Sequence, residues 1–330
     1  MRGACPRRGA AVVVVGAVAF VLAFLGARLF VGTAVPLTNG RPSLLAAAAL
    51  LLLVGFVLKV LAWRRLFTVG ERPHHLALVA ANAGASTFGF VLPARLADLL
   101  RIAIVRRSPG CPTGVRSLCL SLVMLGLIDS VALAPIALAA AAFPGHAVGM
   151  RAALALVAVV GIASAALVLV LPRLAASGPL LRSRVGRWLS PRTSSFRTTS
   201  VIVGLLSLCW FARVGAVVVL LGALGVGFSF SLAVLFLCAA KAAGALPGGQ
   251  AGAGGAVLIA TGVGGSTAID VAVSGQALTT LCGLAVLLVT ALWLIVVRLP
   301  ALRLTPGVAR TSAAILRRRV AVPDAIAPSV

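Results

Sequence analysis

With 330 residues, 61% hydrophobic and 10% charged, and a mean hydropathy of +1.16, the chain is excluded from the class of ordinary soluble globular domains. A net charge of +24 would point to nucleic acid in a soluble protein. Here the arginines sit in loops between oily stretches, a positive-inside pattern that reports orientation and attraction to anionic headgroups and argues against a nucleic-acid partner. The fold class this implies is all-α, a polytopic membrane helix bundle.

Arg2, Arg7 and Arg8 precede an apolar run over 10–31, which reads as a signal anchor with the N-terminus inside. The loop over 36–42 carries only Arg41 and is expected outside, and a span over 43–63 returns the chain to Arg64, Arg65 and Arg72. The stretch 76–92 is short for a span and carries Asn82, Ser86 and Thr87 with Gly84 and Gly89. Arg95, Arg101, Arg106, Arg107 and Arg116 follow it, so a full crossing would put dense positive charge outside. It is therefore expected to be re-entrant or broken, backbone that is tolerated at membrane depth only where protein or water covers it.

A basic amphipathic helix is predicted from Pro93, which suits a first helical turn. Arg95, Asp98 and Arg101 recur every third residue on one face, opposite Leu96, Leu99, Leu100, Ala103 and Ile104. One carboxylate between two arginines leaves a positive charge uncompensated, and a helix N-terminus adds a positive dipole end, so the face suits an anion. The same pattern also suits an interfacial helix whose arginines hold it at the headgroups, and the spacing leaves both readings open.

Further spans are expected over 117–143, going out, and 152–171, coming back, joined by a loop with His146 and Arg151. The arginine-rich loop 172–200 belongs inside. Segments 201–221 and 228–246 then go out and in, placing Lys241 near the cytoplasmic boundary. Glycine is too dense over 246–270 for a lipid-facing helix, so that piece is expected broken and packed inside the bundle. A last span covers 274–297, ahead of a basic tail. With both termini inside, about eight spans follow, plus the re-entrant or broken segment. Residues 1–320 form the membrane domain, and 321–330 a disordered cytoplasmic tail.

Only Glu71, Asp98, Asp129, Asp270 and Asp324 are acidic. Asp129, in an apolar run, is expensive at membrane depth and is a candidate for intramembrane coupling, with a packing carboxyl bonded to Ser130 or to another helix, or one that is simply neutral, as the plain alternatives. Asp270 is expected to cap or end the glycine-rich segment. The six cysteines are scattered and read as small hydrophobes, and neither His74, His75 nor His146 has a metal-ligand pattern, so no metal or cofactor is expected.

Leu92 and Pro93 followed by Arg95, Asp98 and Arg101 resemble the signature of the lysylphosphatidylglycerol synthase transmembrane-region family of flippase-like membrane proteins. Ala94 and Ala97 stand in place of that signature's glycines, Asp98 in place of its glutamate, and Gly89 near its asparagine. Leu246, Pro247, Gly248 and Gly249 resemble the family's second motif, with Gly254 and Gly255 where an arginine and a glutamate are common. Two interrupted segments, one in each half, suggest an internal inverted repeat with a substrate site between them. The resemblance implies binding and translocation of an anionic phospholipid or lipid-linked phosphate, with Pro93, Arg95, Asp98 and Arg101 at the site and Pro247, Gly248 and Gly249 closing it. No catalytic residue is assigned. The alternative, a transferase acting on a lipid-linked donor, is less favoured, because the first outward loop over 31–42 has no carboxylate and no separate synthase domain is expected in this length. The charge pattern predicts that cysteines placed in the 172–200 loop and in either tail are labelled by an impermeant thiol reagent only after the cells are opened, and labelling of intact cells would reverse the topology.

Overall fold

The computed structural model describes residues 40–89, 94–108, 111–142, 148–176, 196–245 and 249–303. Every regular element among them is helical: α1 Pro42–Arg65, a 3-10 turn Val69–Glu71, α2 His75–Phe88, α3 Ala94–Arg107, α4 Val115–Ala142, α5 Val148–Ala176, α6 Phe196–Ala223, α7 Phe230–Ala242, a 3-10 turn Ala243–Ala245, α8 Gly249–Ala260 and α9 Gly265–Arg303. The expected span over 10–31, most of the 172–200 loop, and the tail beyond 303 lie outside the described residues. The chain divides into two compact units, Met1–Leu287 and Leu288–Val330. The first holds α1 to α8 and most of α9. In the second, the described residues are the end of α9.

Local chemistry sets the helix limits. Pro42 opens α1, where its missing N–H costs nothing, and Arg64 and Arg65 lie in its last turn. His74 caps α2, its Nδ1 accepting the N–H of Leu76, and Ser229 caps α7 by accepting the N–H of Leu232. α8 ends in a glycine with φ of 89°, Gly262, where the N–H of Val263 reaches back to the carbonyl of Leu258 at 3.0 Å. That is a Schellman stop, which only glycine adopts without strain. Asp270 therefore does not cap or end the glycine-rich segment. It lies inside α9, after the turn has already been made.

Five helices, within α1, α4, α5, α6 and α9, are long and apolar enough to cross a membrane. The region expected to cross over 228–246 is instead the 13-residue α7, followed by the 12-residue α8. At about 1.5 Å per residue each spans about 20 Å, short of a hydrocarbon core of about 30 Å. α2 and α3, of 14 residues each, form a second short pair.

The helix order repeats. A long helix, two short ones and a long one occur as α1–α4 and again as α6–α9, with α5 between. α1 and α6, which hold the same place in each set, make the most extensive helix contact, and they run antiparallel: Gly55 faces Cys209 and Arg213, while Leu51 faces Gly215. α4 packs on α5, α2 on α3, and α7 on α8, and α3 touches the Ala243–Ala245 turn, so the two short pairs meet. Outward-facing leucine, valine and isoleucine on α1 and α5, such as Leu50, Val57, Leu156, Val159 and Ile162, are exposed, as lipid-facing surfaces require.

Glycine allows the closest approaches. A Cβ on Gly254 of α8 would lie 2.5 Å from the Phe236 ring of α7, and one on Gly161 of α5 would lie 2.4 Å from the Ala134 Cβ and 2.6 Å from the Ser130 carbonyl of α4. Gly161→Ala should therefore lower the thermal midpoint of the detergent-solubilised protein by an overpacking cost of about 1–3 kcal/mol. Gly126→Ala, with nothing within 4 Å, should leave it unchanged.

Candidate functional site

Asp129 stands midway along α4, buried, where the chain must supply whatever its carboxylate needs. Trp210 of α6 donates Nε1–H to Asp129 Oδ1 at 2.9 Å and to the Asp129 carbonyl at 3.1 Å, and Lys241 Nζ of α7 donates to Oδ2 at 2.7 Å. Both carboxylate oxygens are thus held from other helices. Ser130 plays no part in this, since its hydroxyl donates to the Gly126 carbonyl. The Trp210 ring carries cations as well, with Lys241 Nζ 4.9 Å and Arg213 Cζ 5.4 Å from its centroid.

The α1–α6 contact brings Lys59 to the same place. Cys209 donates Sγ–H to the Gly55 carbonyl at 3.1 Å, and Arg213 passes its stem over Gly55. Lys59, one turn beyond Gly55, faces the same way. The charges acting on it are Asp129, Arg213 and Arg101, and those acting on Asp129 are Lys59, Lys241 and Arg213.

α3 completes the cluster. Ala97, Ile104 and Val105 face the bundle along with Arg101, whereas Leu96 and Leu99 are exposed. Arg101 is thus turned toward the bundle among apolar neighbours, unlike an arginine that sits in headgroups, while Asp98, Arg106 and Arg107 are more exposed. Arg101 Nη1 donates to Asp98 Oδ1 in an i,i+3 ion pair, while Arg101 Nε is buried with no hydrogen-bond partner. Arg101 also lies in the field of Arg213 and Asp129.

Of the residues singled out by sequence, Asp98, Arg101 and Asp129 come together, although the sequence reading treats Asp129 separately. Gly249 is the first residue of α8, next to the turn that α3 touches. Pro93, Pro247 and Gly248 lie outside the described residues, as does the side chain of Arg95. Lys241, expected near the cytoplasmic boundary, pairs with Asp129. Sequence reasoning misses Lys59, Trp210, Arg213 and Lys241 as site residues, yet one signal was available: among 29 basic residues only Lys59 and Lys241 are lysines, and both belong to this cluster.

Chemically, the site is a set of donors with few acceptors, suited to holding an anion in a low-dielectric setting. No group of three His, Cys, Asp or Glu that could hold a metal occurs among the described residues. Trp210→Phe removes the indole N–H from both Asp129 acceptors and should destabilise the protein by about 1–3 kcal/mol, read as a lower thermal midpoint. A cycle with Lys241→Met should give a coupling energy of about 0.5–3 kcal/mol, and strict additivity would mean that the two do not share Asp129.

The model of the lysylphosphatidylglycerol synthase TM region matches residues 9–292. No curated protein and no solved structure matches the chain. The matched stretch holds both short helix pairs and the whole charge cluster, and with its apolar spans it makes the chain a multi-pass membrane protein belonging to the lysylphosphatidylglycerol synthase transmembrane-region family.

Proposed function

We propose that this protein binds and translocates an anionic phospholipid or lipid-linked phosphate, with both termini on the cytoplasmic side and α3 as the helix that receives the headgroup. The observation that carries this reading is Arg101, which faces the bundle, is only partly satisfied by Asp98, and keeps a buried Nε–H without a partner. An unsatisfied buried donor on a cation is costly, and a phosphate oxygen removes that cost. Arg95 supplies a second guanidinium at the start of the same helix, and Asp98 fixes the orientation of Arg101. The short pair α7–α8 closes the site from the other half, with Pro247, Gly248 and Gly249 as the residues that line it there.

Two short pairs in corresponding positions support a site between inverted repeats, with α2–α3 entering and leaving on one side. Asp129, between the two, serves as the coupling residue.

Arg95→Lys and Arg101→Lys in proteoliposomes test this reading. Lysine anchors a helix at headgroups as well as arginine but lacks the bidentate fork. Each variant should bind and translocate anionic lipid roughly tenfold less well, the effect of losing about 1.4 kcal/mol, and wild-type behaviour in both would reduce α3 to an anchor.

A further inference from the structure

We propose that Lys59, Arg213 and Lys241 join Arg101 in seating a single phosphate group, and that Asp129 keeps this place in the empty protein by engaging Lys241 until the phosphate takes over. This rests on the reading above that the chain binds an anionic phosphate headgroup, and it adds three cations and an exchange step to that reading.

Three features of the cluster point this way, and the first is charge. Among the described residues the cluster contains four cations, Lys59, Arg101, Arg213 and Lys241, against two carboxylates, Asp98 and Asp129. An excess of two positive charges inside a helix bundle is unfavourable unless an anion joins them.

The second is geometry. Arg213 Cζ and Lys241 Nζ both lie over the Trp210 ring, which donates to Asp129, and Lys59 lies one turn from Gly55, where the Arg213 stem passes. Neither Lys59 nor Arg213 makes a hydrogen bond or an ion pair with the described residues.

The third is the asymmetry of the ion pair. Asp129 is held twice by Trp210 and its side chain is 10% exposed, whereas Lys241 has no other hydrogen bond there and is 32% exposed. Lys241 is therefore the partner that can turn away while Asp129 stays in place. Lysine suits such a role: it is a compact ammonium on a flexible stem, and unlike arginine it does not lock onto a carboxylate through a planar fork.

The test measures binding of phosphatidylglycerol to purified protein in phosphatidylcholine nanodiscs, and of inorganic phosphate in nanodiscs of phosphatidylcholine alone. Lys59→Met, Arg213→Met and Lys241→Met should each weaken phosphatidylglycerol binding by about tenfold. Asp129→Asn, which frees Lys241, should tighten it by about tenfold, and the double variant with Lys241→Met should behave like Lys241→Met alone. Lys241→Arg should weaken binding because Asp129 grips the fork, and with Lys59→Met it decides the matter if Asp129→Asn does not fold. Weaker binding in Asp129→Asn, or wild-type affinity in Lys59→Met and Arg213→Met or in Lys241→Arg, would overturn the proposal. Competition by inorganic phosphate identifies the phosphate group alone as the ligand, and binding of phosphatidylglycerol without such competition identifies the lipid headgroup. Loss at Arg101→Lys with no effect at Lys59 and Arg213 would leave the proposed function standing and remove this inference. Wild-type protein that does not prefer phosphatidylglycerol to phosphatidylcholine would remove both.

Discussion

A carboxylate in the middle of a membrane helix must be met by donors from other helices, and that requirement at Asp129 organises much of what surrounds it. Trp210 and Lys241 reach it from α6 and α7, and Lys59 and Arg213 are drawn into its field from the α1–α6 contact. Two helices, α6 and α7, are tied to α4 at one depth by polar contacts that hydrocarbon cannot replace. In lipid, where burial of apolar surface gives no preference between protein and tails, such contacts select which helices are neighbours.

The remaining selection is steric. α7 meets α8 through Gly254 against Phe236, and α5 meets α4 through Gly161 against Ala134, both at distances a side chain would forbid. Short helices can stop inside the bundle because their ends are provided for: Ser229 caps α7 and the turn at Gly262 closes α8. Where two such pairs touch, through α3 and the Ala243–Ala245 turn, backbone ends and charged side chains share one protein-covered region. The antiparallel packing of α1 on α6, each at the head of a long–short–short–long set, is the arrangement an inverted duplication requires.

Much of this was legible in the residues. The helical membrane class follows from composition, and the family from Leu92, Pro93, Arg95, Asp98 and Arg101 with Leu246 to Gly249. The interruption after 88 could be read from the clash between a full crossing and the arginines behind it. α7 could not be read that way, because its apolar run passes without a break into residues that belong to a turn, and hydropathy averages over the stop. Asp270 was misread because the true stop is made by Gly262, and glycine is so frequent there that no single one stands out. The cluster itself joins residues 59, 101, 129, 210, 213 and 241, and periodicity carries no information across such separations. The only trace is compositional: both lysines of a chain that otherwise uses arginine for its positive charge belong to the cluster.

The order in which the chain is made gives that cluster a history. Trp210 and Lys241 follow Asp129 by 81 and 112 residues. At about 5–20 residues per second, Lys241 emerges roughly 6 to 22 s after the carboxyl it will hold. During that interval the cations already synthesised are Lys59 and Arg101, both on helices that precede α4. The first half thus brings counter-charges of its own to the inserting helix, and the second half adds Lys241 and Arg213 to them. In the finished protein Lys59 and Arg101 still lie in the field of Asp129, so its counter-charge is assembled in two steps, one from each half of the chain.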